Sequence, residues 1–125
     1  VSSAIFSDEH LLHALDSIVH PAVASEFERW ADMQNSPYVI MECAILIESG
    51  FDRLVDRIVA VSAPEQLRIT RAAQRDGVEA QAVKERIARQ TSDTRREACA
   101  HYIIENIDLE HTAQTVAELD KIFRQ

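Results

Sequence analysis

The sequence predicts an α/β fold with a thin parallel sheet of about three strands, covering helices and an arginine-rich helical segment. Three observations carry this expectation. Apolar runs at Tyr38–Ile47, Arg57–Ser62 and Tyr102–Asn106 lack the polar alternation of half-exposed strands, which suits strands buried on both faces. Helical periodicity separates these runs. Glycine is scarce, with only Gly50 and Gly77 in 125 residues. No glycine-rich phosphate loop can be written within them, because such loops need several closely spaced glycines.

Leu11, Leu12, Leu15, Ile18 and Val19 recur at helical spacing behind Ser7 and Asp8, both good N-cap residues. His20-Pro21 is expected to close this helix and open a second, since proline suits a first turn. The second helix puts Val23, Phe27, Trp30 and Ala31 on one face. Ser36-Pro37 signals a turn into the first strand, whose apolar run is interrupted by Glu42. After the Arg57–Ser62 strand, Ser62-Ala63-Pro64-Glu65 reads as a capping box with proline in the first turn. That helix runs to about Arg75 and stops near Asp76-Gly77. Val83 and Ile87 mark a helix from about Glu79 to Gln90, and Thr91-Ser92-Asp93 caps a short third one. The last strand leads to a C-terminal helix that turns Val116, Leu119, Ile122 and Phe123 inward. There are no internal repeats or low-complexity segments.

With 46% hydrophobic and 27% charged residues and no apolar run near 20 residues, the composition is that of one soluble domain without a membrane span. No signal peptide is visible, so the expected location is cytoplasmic. A net charge of −8 argues against a nucleic-acid partner, whose phosphates reward basic surfaces. Between Arg68 and Arg96 the balance reverses to +4, which leaves −12 on the remainder. Cys43 and Cys99 sit in apolar stretches without metal-ligand spacing, which suits buried, reduced thiols.

Arg68, Arg71 and Arg75 fall at i, i+3 and i+7, so one helix face carries three guanidinium groups suited to a polyanion such as a triphosphate. A solvated face with local ion-pair partners is the competing reading. Gly77 follows as a hinge for a flap that delivers those arginines. His20, before Pro21, suits either a ligand contact or a backbone bond at a helix junction. Glu48, with Glu42, lies near the carboxyl end of the first strand, where open α/β sheets bind ligands. It can orient a substrate hydroxyl or pair with Arg53 or Arg57. Asn106 ends the last strand in the same way, and its amide can read a base edge or cap the turn into Asp108. A metal site is not expected: His10 and His13 are i, i+3, but no cysteine or acidic cluster completes a set. No serine is flanked by nucleophile-elbow glycines.

An ordered series of short motifs resembles one family. It begins with Ile5-Phe6-Ser7-Asp8, His20-Pro21-Ala22-Val23, Ser36-Pro37-Tyr38-Val39 and Ile45-Leu46-Ile47-Glu48-Ser49-Gly50. It continues with Val59-Ala60-Val61-Ser62, Gln66-Leu67, Arg71 through Gly77, Arg86-Ile87 to Gln90, and Ile103-Ile104-Glu105-Asn106. Over nearly the whole chain this is similar to the C-terminal portion of dephospho-CoA kinases. The family transfers the ATP γ-phosphate to the 3′-hydroxyl of dephospho-CoA, the last step of coenzyme A synthesis.

The resemblance implies a P-loop kinase-like three-layer fold with a truncated sheet and a helical lid. Residues 1–125 would form a single partial domain. Within it, 1–35 would be the helical CoA-binding part, 36–66 the core strands and a helix start, 67–100 the lid helices, and 101–125 the last strand and helix. It places His20, Pro21 and Glu48 on the substrate side, Arg68, Arg71 and Arg75 in the lid over the ATP phosphates, and Asn106 beside the adenine. ATP and Mg²⁺ are the implied cofactors of the intact enzyme, and ATP and dephospho-CoA its partners. The family's strand–P-loop–helix unit and its acidic base are not in these residues, so the chain alone is expected to be inactive. The start at Val1, without methionine, agrees with part of a longer chain. Ala44, His101 and Asp108 stand where the family usually has proline, aspartate and glycine. Sheet edges left open by the missing strand are expected to drive self-association. The competing readings are a non-catalytic interaction domain docking an acidic partner, and another nucleotide kinase of the P-loop class.

Overall fold

Leucine, alanine and other glycine-free helix formers fill residues 9 to 32 and make one helix, α1 (Glu9–Asp32), of 24 residues. The structure, a computed structural model, describes residues 9–125. The expected Ser7-Asp8 cap and the Ile5–Asp8 stretch lie outside the described residues. The chain divides into two compact units, Val1–Val39 and Ile40–Gln125.

In the first unit the two expected helices are one, because Pro21 lies inside α1 rather than opening a second helix. Proline removes a single hydrogen bond, here to the carbonyl of Ser17, at about 3 kcal/mol. The full turns on both sides of Pro21, back to Glu9 and on to Asp32, carry the helix through it. The turn before it keeps an i,i+4 pair, with His20 Nε2 3.5 Å from Asp16 Oδ1. Among the described side chains of α1 only Ala24 is buried. Ile18, Val19, Val23, Phe27 and Trp30 line a shallow apolar groove of about 590 Å³.

The second unit holds a two-stranded sheet instead of three strands. The strand expected over Tyr38–Ile47 does not form: residues 38–43 join no ladder and residues 44–50 are turns. Apolar character alone makes no strand, since extended backbone needs a neighbour to pair its N–H and C=O groups. Ser49 N–H instead donates to Ile45 O at 2.9 Å and Gly50 N–H to Ile47 O at 3.1 Å. Gly50, at φ 76°, leads into the 3₁₀ turn Phe51–Leu54.

β1 (Val59–Ser62) pairs in parallel with β2 (Tyr102–Glu105), in the register Val59↔Tyr102 to Ser62↔Glu105. The ladder extends at both ends: His101 N–H donates to Ile58 O at 2.8 Å and Asn106 N–H to Ser62 O at 2.7 Å. His101 Nδ1 in turn accepts from Ile58 N–H at 2.9 Å. Val61 remains 57% exposed and Ile103 47%, so the sheet lacks the two-sided cover expected of it.

The crossover between the strands contains α2 (Glu65–Asp76), α3 (Ala80–Ala88) and α4 (Asp93–Cys99), and α5 (Leu109–Phe123) follows β2. The capping box expected at Ser62 is not made. Ser62 stays in the strand and its hydroxyl donates to Glu97 Oε1 at 3.0 Å, so Pro64 becomes the N-cap of α2. α4 and α5 start on side-chain caps: Ser92 accepts from Arg95 N–H and Asp108 from Glu110 N–H. Phe51, Ala60, Ile69, Val83, Ile104 and Leu119 are the buried core of this unit, one from each of six elements. The inward face of α5 is narrower than its spacing suggests: Leu119 is buried and Phe123 meets Tyr102 edge to face at 5.5 Å, while Val116 and Ile122 are exposed. Cys99 is exposed and Cys43 half-buried, so neither thiol is the buried one expected.

α2 ends at Gly77, whose φ of 64° is left-handed and whose N–H bonds Ala73 O. A Cβ there meets nothing within 4 Å, so Gly77→Ala is expected to cost only the backbone strain, about 1–2 kcal/mol, in a denaturant titration.

Candidate functional site

The arginines of α2 do not form a bare cationic stripe, because each finds a different partner. Arg68 donates through Nε to Ala63 O at 3.0 Å and through a terminal nitrogen to Asp93 Oδ2 at 2.6 Å. Arg71 reaches across to the loop after β2 and donates to Asn106 O at 2.6 Å and Ile107 O at 3.1 Å. Arg75 lies against its neighbour Asp76, at 2.9 and 3.2 Å, and stays 74% exposed.

The local sequence explains the divergence. The three positions share one face but are spread over roughly 10 Å of helix axis, so Arg68 reaches Asp93 of α4, Arg71 the β2–α5 loop and Arg75 the α2–α3 corner. Two aspartates collect further guanidinium groups. Asp93 accepts from Arg68 and from Arg96, the latter at 3.1 Å. Asp76 accepts from Arg75 and, at 2.8 Å, from Arg86 of α3. Each cluster therefore holds two cations on one carboxylate. The cluster at Asp76 straddles Gly77 and is the more exposed of the two.

Hydrogen bonds from Arg75 first, and from Arg86 second, lower the Asp76 carboxyl from its ordinary 3.8 to about 2. A lowered carboxyl contributes stability that is complete above its unfolded value and is lost as pH falls through the folded one. The contribution of the Asp76 ion pairs is thus expected to be complete above the ordinary value of 3.8 and to be lost as pH falls through about 2. An acid titration of the Asp76 side chain by NMR checks this, and a midpoint near 4 contradicts it.

Asn106 sits just past the carboxyl end of β2 and is held from three sides. Its N–H donates to Ser62 O in β1, its carbonyl accepts from Arg71 in α2, and its side-chain amide lies 3.0 Å from Thr112 Oγ1 in α5. Arg71 and Asn106 are the two expected site residues that the structure brings together. The cap for α5 comes from Asp108, at 3.0 Å from Glu110 N–H, so the Asn106 side chain is not spent on that turn.

Glu48 is exposed in the turn before Gly50 and pairs with neither arginine suggested for it. Arg53 donates to Gly50 O and Arg57 to Asp56 O. His20 and Pro21 lie in α1, within the other unit. At the carboxyl end of β1, Ser62, Arg68, Asp93, Arg96 and Glu97 close around about 10 Å³, room for at most one water. Among the described residues no group of three His, Cys, Asp or Glu side chains is placed to hold a metal ion. Among them, too, no helix is long and apolar enough to cross a membrane.

Asp76 and Thr112 carry no signal in the sequence that marks them as site residues. Asp76 sits beside a helix-ending glycine and looks like part of the stop signal. Thr112 is six residues beyond Asn106, a spacing with meaning only once a strand end is followed by a helix start.

A parallel open sheet crossed over by an arginine-bearing helical segment, with polar groups at the strand ends, defines an α/β protein with a crossover connection. The family model for dephospho-CoA kinase matches residues 1–111. The chain belongs to the dephospho-CoA kinase family. It is 39% identical over 90 residues to the dephospho-CoA kinase of Porphyromonas gingivalis, covering 72% of this chain and 45% of that one. With the enzyme of Methylococcus capsulatus it is 33% identical over 121 residues, covering 97% and 60%. The chain thus spans about half the length of the curated relatives it matches. Two solved structures share the fold. One from Thermus thermophilus matches with a TM-score of 0.88 at 24% identity, over 97% of this chain and 63% of that one. A dephospho-CoA kinase from Campylobacter jejuni matches with a TM-score of 0.57 at 22% identity, over 96% and 63%.

Proposed function

We propose that this chain is the lid, acceptor-side and adenine-side portion of a dephospho-CoA kinase, an enzyme that transfers the ATP γ-phosphate to the 3′-hydroxyl of dephospho-CoA. The single observation that carries the reading is the bond from Arg71 to the carbonyl of Asn106, 35 residues away. It supports a lid helix and a base-side loop that act as one body at the carboxyl ends of the strands, where α/β sheets take ligands.

In this reading Arg75 and Arg86 supply the mobile charge. Both are more than half exposed and share one carboxylate, so a phosphate oxygen can replace Asp76 at little cost. Arg68 and Arg71 set the lid backbone around them, Glu48 faces the acceptor, and His20 and Pro21 belong to the part that binds the CoA body. Phosphoryl transfer needs chiefly positioning and charge neutralisation, which is what guanidinium groups at fixed backbone sites provide. ATP is the donor. Mg²⁺ accompanies ATP in such chemistry, and the described residues offer it no set of three His, Cys, Asp or Glu ligands.

The chain holds no glycine-rich loop for the β- and γ-phosphates, so the 125 residues alone are expected to give no turnover. Alone they are also expected to associate through the open edges of a two-stranded sheet, which light scattering reads; a monomer at high concentration contradicts that. The partners in this reading are two small nucleotides in the cytoplasm, and the net charge of −8 disfavours nucleic acid.

Hydrogen exchange on the full-length protein tests the assignment. ATP is expected to slow exchange across Arg71–Gly77 and the loop after Glu105. Indifference of both segments to ATP and to dephospho-CoA favours a surface that docks an acidic protein.

A further inference from the structure

The Asn106 side chain stands at a strand end, is not used as a cap, and is held through one atom by Thr112. What it offers a ligand depends on where the single hydroxyl proton of Thr112 goes. Thr112 Oγ1 lies 3.0 Å from Asp108 O, 3.0 Å from Asn106 Oδ1 and 3.2 Å from Glu105 O. A hydroxyl donates once and accepts twice, so three acceptors cannot all be served. Two other helical threonines donate to the carbonyl four residues back: Thr70 to Gln66 O at 3.0 Å and Thr115 to His111 O at 3.1 Å. Thr112 stands in the same relation to Asp108 O, which claims its proton.

The two lone pairs left on Oγ1 call for a donor. Asparagine oxygen and nitrogen are nearly isosteric, so a half-turn of the amide puts Nδ2–H on Thr112 and satisfies both residues. It also turns Asn106 Oδ1 away from Thr112. Arg71 and Ser62 fix the backbone from which the amide projects, so its direction is set even before a ligand arrives.

We propose that Thr112 is a positioning residue that sets base specificity: it holds the Asn106 amide oxygen outward, as an acceptor for the exocyclic amine of an amino-purine. This rests on the reading of Asn106 as the adenine-side residue. An outward acceptor bonds the 6-amino group of adenine and faces the 6-oxo group of hypoxanthine acceptor to acceptor. The nucleotide selected is therefore one with an amine at that position.

The test is a pair of dissociation constants, for ATP and for ITP, measured by calorimetry on the full-length protein and its Thr112→Val and Thr112→Ser forms. The parent is expected to prefer ATP. Thr112→Val keeps the shape but loses the lone pairs, frees the amide to rotate, and is expected to cut the ATP-to-ITP preference about five- to tenfold. Thr112→Ser restores the acceptor and is expected to keep the preference. A purely structural role for Thr112 moves melting temperature and both affinities together and leaves the ratio unchanged, which overturns the proposal. A parent that does not distinguish ATP from ITP also overturns it. Because the readout is binding, a protein that discriminates the two bases yet transfers no phosphate to dephospho-CoA supports this proposal while defeating the kinase reading.

Discussion

Replacing Arg75 by alanine in the full-length enzyme is expected to lower kcat/KM about 10²- to 10³-fold, the usual loss when one fixed donor to a developing charge is removed. Folding stability is expected to stay within about 0.5 kcal/mol. The separation follows from geometry. The Arg75 side chain is 74% exposed and bonds only its own neighbour, so little of the folded state depends on it. Arg75→Lys is expected to recover only part of the loss, because an ammonium cannot reproduce a two-pronged contact with phosphate oxygens. Arg71→Ala should behave differently and lose stability as well as rate, since Arg71 ties α2 to the carbonyls of Asn106 and Ile107. Steady-state kinetics beside thermal melts separate the two. An Arg75→Ala enzyme with unchanged kcat/KM removes the residue from the phosphate site.

The largest structural effect is expected from Phe51→Ala, about 3–5 kcal/mol by denaturant titration. Phe51 is 4% exposed and is the only aromatic ring among the six buried side chains of its unit. It is locked by the turn before it: Gly50 at positive φ starts the 3₁₀ segment, and Phe51 N–H donates to Ser49 Oγ at 3.4 Å. A domain of this size holds about 5–15 kcal/mol in all, so losing this ring removes a large fraction and broadens or abolishes the cooperative transition. Phe51→Leu, which keeps most of the volume, is expected to cost less than about 1.5 kcal/mol. Equal costs for the two place the core elsewhere.

Much of this molecule can be read from local chemistry. The helix stop at Gly77 and the helix start at Ser92 follow from side chains acting within a few residues, while the runs at Val59–Ser62 and Tyr102–Glu105 have strand composition and also find each other as partners. The misread elements share a cause. The run at Tyr38–Ile47 has strand composition, yet a strand is a relation between two segments, and no described segment pairs with this one. Pro21 carries a strong local signal that one lost bond in a 24-residue helix does not enforce. Ser62 was a good cap by pattern, but Glu97, 35 residues later, takes its hydroxyl.

The site shows the same division. Arginines at i, i+3 and i+7 are visible in the sequence, but their partners are not. Asp93 and the Asn106 carbonyl meet them only through the fold, and Asp76, next to Arg75 in sequence, gathers Arg86 in the same way. Residue type and spacing therefore mark where charge gathers, and the fold decides which guanidinium is tied to backbone and which stays exposed beside a carboxylate.

The most direct measurement is turnover of the full-length protein with ATP and dephospho-CoA, following ADP and the 3′-phosphorylated product together. The expected result is equal amounts of ADP and coenzyme A, with turnover about 10²- to 10³-fold slower in Arg75→Ala. Formation of neither product, or phosphorylation of a nucleoside monophosphate in place of dephospho-CoA, contradicts the account.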